Sequence, residues 1–169
     1  APSLRCLAAM PAGSIWMGHA GLGVGRTKGG HYAHVGTEQG LFDDYISQII
    51  ADDQGWLWLG SDRGIFKVRL QELEAVMEGR ADSARSILYR QDASVANLQA
   101  IFGRSSEVAR TDDGRLWMPT RSGLAVINPK SQATNPETPQ VLLEKVTVDG
   151  QIIGRRKNVA SALDERNRA

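Results

Sequence analysis

Three histidines, the doubled aspartates at 52–53 and 112–113 and one glycine run are the residues whose types and spacing could do chemistry. His31 and His34 are three apart, a spacing that in a strand sends them to opposite faces and makes them poor joint metal ligands. His19 falls in a turn, so the three read as scattered surface or rim residues and no metal site is expected. The pairs Asp52-Asp53 and Asp112-Asp113 have the composition of an acid–base couple. They recur at the same turn in two blades, just before a Gly and a Trp, which catalysis does not require and a turn does. Gly21-Leu-Gly-Val-Gly25 misses the G-x-G-x-x-G spacing of a phosphate loop, and no helical pattern follows it. Neither a G-x-S-x-G elbow nor an H-E-x-x-H zinc motif occurs. The residues supply no catalytic constellation, and no cofactor is expected.

The elements that must position these residues come from a phrase written three times. It reads AGSIWMGHAGLG from Ala12, DDQGWLWLGSDRGIF from Asp52 and DDGRLWMPTRSGLA from Asp112. Gly13, Gly55 and Gly114 stand three residues before Trp16, Trp58 and Trp117, and Gly21, Gly64 and Gly123 open the next apolar stretch. The tryptophans are 42 and then 59 residues apart, one small four-stranded unit and the same unit with an insertion. Each copy reads as short strands joined by Asp- and Gly-rich turns. The fold class is therefore all-β, a β-propeller fragment of about three four-stranded antiparallel blades. One such sheet cannot bury both faces, so Trp16, Trp58 and Trp117 are expected as wedges between successive sheets. Trp56 stands outside the repeat and is expected on the face opposite Trp58.

Arg69 to Arg80 breaks the β rhythm. Leu70, Leu73, Val76 and Met77 share a helical face, Glu72, Glu74 and Glu78 lie off it, and Gly79 suits the stop. This predicts one short inserted helix of about ten residues on the propeller rim, a simple decoration or a contact surface for a partner domain. The blades are expected over about 4–37, 46–90 and 105–130, within a propeller part of residues 1–130. A linker follows over 131–140, then a strand over 141–153 ending in an Asp-Gly turn, then a polar tail over 154–169 with a short helix at 159–167.

The phrase D-x-x-G-x-[LI]-W-[LMI]-[GP]-[ST]-x-x-G-[LI] resembles the two-component regulator propeller repeat. The resemblance runs from Leu4 to about Pro129, and the first copy lacks the acidic turn, with Met10-Pro11-Ala12 in its place. Gly40-Leu41-Phe42-Asp43-Asp44-Tyr45-Ile46 resembles the family's linker between blades, and Val141 to Gly150 the first strand of the immunoglobulin-like domain that follows. The resemblance implies a periplasmic or extracellular sensor region of a histidine kinase or diguanylate cyclase, often one that detects carbohydrate breakdown products. Any kinase or cyclase activity would lie outside this chain. Three blades cannot close a ring, so the partners implied are the remaining blades of a parent protein or a second copy.

The bulk properties agree. A net charge of +1 gives no field to draw nucleic acid, and no apolar run approaches a membrane span. A single cysteine, Cys6, excludes an internal disulfide. The chain begins Ala-Pro-Ser without a signal peptide, which suits a mature product or an excised piece. The leading expectation is a non-enzymatic sensing or ligand-recognition module. The tips between second and third strands and the blade junctions emerge on one side, which brings His19, Arg63 and Arg121 together with Asp43, Asp44 and Tyr45. These residues suit a carbohydrate or other small hydroxylated or anionic ligand. The alternatives are an assembly module that completes a ring by oligomerisation, and a propeller lyase or hydrolase using His19 with Asp43 or Tyr45.

Overall fold

The turn signals and the two-residue alternation produce three antiparallel sheets in a row. The computed structural model describes residues 3–10, 13–89, 98–101 and 108–131, and the backbone of 145–148 and 151–155. Two compact units, residues 1–132 and 133–169, divide the chain. The first sheet is β1 (Ser3–Met10), β2 (Ser14–Ala20), β3 (Val24–Lys28) and β4 (His31–Val35), and the second is β5 (Ile46–Ala51), β6 (Trp56–Ser61), β7 (Gly64–Arg69) and β8 (Ser86–Leu88). Both run in sequence order, as a meander must. The third has three strands among the described residues: β9 (Ala109–Arg110), β10 (Leu116–Thr120) and β11 (Gly123–Ile127). The fold is all-β with one α-helix, α1 (Leu70–Met77). In the second unit β12 (Lys145–Val148) and β13 (Gln151–Arg155) pair antiparallel. Of the linker expected over 131–140 only Ser131 is described, as the end of a 3-10 turn; the rest of it, residues 141–144 of the expected strand, the Asp149-Gly150 turn and the tail beyond Arg155 lie outside the described residues.

The three tryptophans occupy one node of the ladder. Trp16 lies between Ala8 and Arg26, Trp58 between Ile50 and Lys67, and Trp117 between Ala109 and Val126. Trp16, 1% exposed, packs with Val24 and Val35 of its own sheet against Ile46, Ile49, Leu57, Leu59 and Phe66 of the second. Trp58, fully buried, packs with Ile65 against Leu116, Met118 and Ile127 of the third. The first two blades thus turn their tryptophans towards the next, and the second and third present their flanking apolar residues to the one before. Full burial of such a side chain contributes about 3–5 kcal/mol, judged by the cost of truncating it.

Close approach sets the seams. A Cβ at Gly18 would lie 2.7 Å from the Ile46 carbonyl oxygen, and one at Gly60 would lie 3.0 Å from Ala100 Cβ. Glycine at these places lets the leading strand of the following blade come in.

Three expectations need correction. Trp56 does not oppose Trp58, because residues two apart in a strand share a face. Lys67 Nζ sits 4.6 Å from the Trp56 ring centroid and 5.0 Å from that of Trp58. The third blade starts earlier than residue 105: Ala100 bridges Thr120, and its amide donates to the Ser61 carbonyl at 2.9 Å. The helix is eight residues long, and it clasps a seam rather than decorating the rim. Leu73 is fully buried in the cluster between the first two sheets. Arg26 of β3, 7% exposed, donates to Glu74 at 3.1 Å and Glu78 at 3.3 Å.

Candidate functional site

The end of the blades where β2 turns into β3 and β6 into β7 is built around three consecutive junction residues. The carbonyl of Asp44 accepts the amides of Gly21 and Gly23 in the first tip at 3.0 and 2.9 Å. The Tyr45 carbonyl accepts the Asp62 amide of the second tip at 3.3 Å. Asp43, 4% exposed, takes the Tyr45 amide on Oδ1 and the Arg63 amide on Oδ2, both at 3.1 Å. Asp44 is equally occupied, accepting the Thr37 amide and hydroxyl at 2.7 Å each. These carboxylates brace the turns, each oxygen accepting one hydrogen bond from the chain.

Each tip is closed by the residue three after the repeat tryptophan. Ser61 Oγ donates to the Gly64 carbonyl at 2.8 Å, and Thr120 Oγ1 to the Gly123 carbonyl at 3.0 Å. His19 holds that place in the first blade. It is therefore not a turn residue, as its sequence position suggested, but the buried penultimate residue of β2, 8% exposed. Its Nε2 shares a 3.0 Å hydrogen bond with the Tyr32 hydroxyl, while Nδ1 has no partner among the described residues. Tyr32 reaches it by lying across Gly25, where a Cβ would come 2.7 Å from the hydroxyl. His34 stacks on Tyr32 with ring centroids 6.2 Å apart. Burial first, then the charge of His34, pulls the His19 pKa below the ordinary histidine range, and burial raises that of Tyr32.

The groups that face outward at this end are Tyr45, Arg63 and Arg121. Tyr45 is 46% exposed. The Arg5 guanidinium lies 5.2 Å from its ring centroid and donates to Asp62 at 2.8 Å and Ser47 at 3.1 Å. Arg63 donates to the Phe42 carbonyl at 3.0 Å and stacks on that ring at 4.6 Å. Arg121 is exposed, and its amide donates to the Gln99 carbonyl at 2.9 Å. The two arginines hold related positions in the second and third blades. An open cleft of about 280 Å³ adjoins the first tip, lined by Gly21, Leu22, His34, Glu38 and Asp44 among others. Among the described residues, no three His, Cys, Asp or Glu gather as a metal-holding group.

Sequence reasoning missed one role. Asp52, read as a turn former, also takes the indole N–H of Trp58 on Oδ2 at 2.9 Å, while Oδ1 takes the Gln54 and Trp56 amides at 2.9 Å each. Thr111 takes the same place in the third blade and accepts the Trp117 indole N–H at 3.3 Å. The signal was there in an aspartate six residues before the tryptophan. Asp113 supports that turn by accepting from Thr111 Oγ1 at 2.6 Å and the Arg115 amide at 3.1 Å, bonds that hold its carboxyl below the usual range.

Residues 40–63 match the family model described as "Two component regulator propeller". The match covers the Asp43–Tyr45 junction, β5 and β6 as far as Arg63. Among solved structures the chain is similar to the extracellular domain of the putative hybrid two component system BT3049 from B. thetaiotaomicron, with 14% sequence identity and a TM-score of 0.50. That alignment covers 94% of this chain and 17% of the other, and at this identity it is a likeness of fold. No curated protein sequence matches the chain.

Proposed function

The chain carries a two-component regulator propeller repeat, and from that premise we propose that it is a sensing and ligand-recognition module of the extracellular or periplasmic part of a two-component signalling protein. The observation that carries this reading is the position of the match: it covers the junction that stitches two tips together and leaves Tyr45 and Arg63 facing outward. The ligand is a small hydroxylated or anionic molecule, a carbohydrate among them, held by Tyr45, Arg63 and Arg121. An aromatic face suits a sugar ring and guanidinium groups suit its oxygens. His19 and Asp43 support these residues from within.

The module recognises and does not turn over. A lyase or hydrolase would pair His19 with Asp43 or Tyr45, but His19 is bonded to Tyr32 and Asp43 to two backbone amides. The test is a thermal-shift screen of oligosaccharides and small acids, because a ligand that binds only the native state raises the melting temperature. A hit whose shift disappears in the Arg63→Ala/Arg121→Ala variant supports the reading. Hits indifferent to both arginines and to Tyr45→Ala contradict it, as does a chain that hydrolyses or eliminates the hit.

A further inference from the structure

The leading strands of the first two blades break register at the same node. In β1 the ladder passes from Leu4–His19 to Cys6–Gly18, and in β5 from Ile46–Ser61 to Gln48–Gly60. Arg5 and Ser47 are the extra residues at these two irregularities. A bulge of this kind re-aims the side chain it carries. Arg5 reaches across the seam: its Nη1 donates to Ser47 Oγ at 3.1 Å and to Asp62 Oδ1 at 2.8 Å, residues 42 and 57 positions away. The Arg5 side chain is 9% exposed and that of Asp62 42%, so a buried guanidinium is paired with a carboxylate at the surface.

These contacts converge on the outward-facing groups of the second tip. Asp62 directly precedes Arg63, and its amide donates to the Tyr45 carbonyl at 3.3 Å. The Arg5 guanidinium also lies 5.2 Å from the Tyr45 ring centroid. That ring meets the first tip at Gly21, where a Cβ would lie 3.6 Å from the Tyr45 hydroxyl oxygen. One side chain rooted in the first blade therefore touches the Tyr45 ring and holds the neighbour of Arg63.

We propose that Arg5 is a positioning residue of the candidate site: it fixes Tyr45 and the Asp62–Arg63 turn relative to each other, in the spacing at which a ligand meets them. The proposal rests on the reading of this end as a binding site. Arg5 acts through these residues and not on the ligand. A charge-assisted hydrogen bond made before binding removes part of the ordering cost that binding would otherwise carry.

Amide exchange of the full chain, followed by NMR, tests this without a ligand. Arg5→Met, which keeps most of the stem, should speed exchange of the Asp62 amide roughly tenfold, the factor that one charge-assisted hydrogen bond is worth. The indole N–H of Trp16, in the same seam, should keep its rate. Arg5→Lys should restore part of the protection, because an ammonium still pairs with Asp62. Asp62→Ala should loosen the Arg63 amide as Arg5→Met does, and the double variant should add little, as for two residues acting through one contact. Asp62→Ala also replaces Arg5→Met if circular dichroism shows that variant misfolded. With a hit from the panel of oligosaccharides and small acids, the rise in melting temperature should shrink in Arg5→Met and return in part in Arg5→Lys. Tip amides indifferent to Arg5→Met overturn the proposal. So does a Trp16 indole that speeds up with them, which would make Arg5 a staple of the whole seam, or a ligand shift indifferent to Arg5. A panel without a hit counts against the reading of the site, and the tip amides still decide the role of Arg5.

Discussion

Trp58 and Trp117 stand at one node of the same repeat and lead different lives. Trp58 is fully buried, its indole N–H is held by the Asp52 carboxylate at 2.9 Å, and Lys67 lies over its ring. Trp117 is half-buried, its indole N–H reaches only the Thr111 hydroxyl at 3.3 Å, and Val126 takes the place of Lys67. The local phrase builds the same strand, turn and register in both blades. What separates them is the sheet that follows Trp58 and has no counterpart, among the described residues, after Trp117. The repeat thus encodes the blade, while the neighbouring blade supplies the burial of its tryptophan.

Truncation is the strongest way to break that comparison. Trp58→Ala should cost ~3–5 kcal/mol in chemical denaturation, as a large core side chain does. Trp117→Ala should cost roughly 1 kcal/mol, the typical value for a substitution without a deep cavity. Equal costs would refute the asymmetry. Next in size is the clamp: Asp52→Ala removes a charged acceptor from one indole and two amides and should cost about 2–3 kcal/mol, against under about 1 kcal/mol for Thr111→Val, read from urea midpoints. Third is the seam spacing. Gly60→Ala should destabilise by about 1–3 kcal/mol through overpacking against Ala100, whereas Pro119→Ala, on the open side, should change stability by under about 1 kcal/mol.

The smallest effect concerns pH. His19 titrates below its ordinary value of 6.5 in the fold, so between its lowered pKa and 6.5 the unfolded chain binds more protons than the folded one. Its contribution to stability is complete above pH 6.5 and is lost as the pH falls through that window. His19→Ser, which installs the residue of the second blade, should flatten this limb of the stability–pH curve. An unchanged limb would assign it to another group.

Much of the fold was legible because it rests on local chemistry. The Asp-x-x-Gly turns, the strand alternation and the apolar face of Leu70, Leu73, Val76 and Met77 each announce themselves within a dozen residues. The site was legible only in part. Arg63, Arg121 and Tyr45 could be assigned to one end from turn positions alone. Asp43 looked like a free carboxylate because its partners, the Tyr45 and Arg63 amides, are brought to it by the fold. His19 looked like a turn residue because the repeat's Ser or Thr slot falls at a strand end. Arg26 and Glu74 are 48 residues apart, and no spacing rule links them. The Trp56 expectation failed for a different reason, since the two-residue period itself placed it beside Trp58.

Hydrogen exchange of the indole N–H protons of the three repeat tryptophans, followed by NMR, tests the central claim most directly. Serial stacking with an open last face predicts slow exchange for Trp58, protection for Trp16 and fast exchange for Trp117. A Trp117 indole as slow as that of Trp58, or a Trp58 indole that exchanges freely, would contradict it.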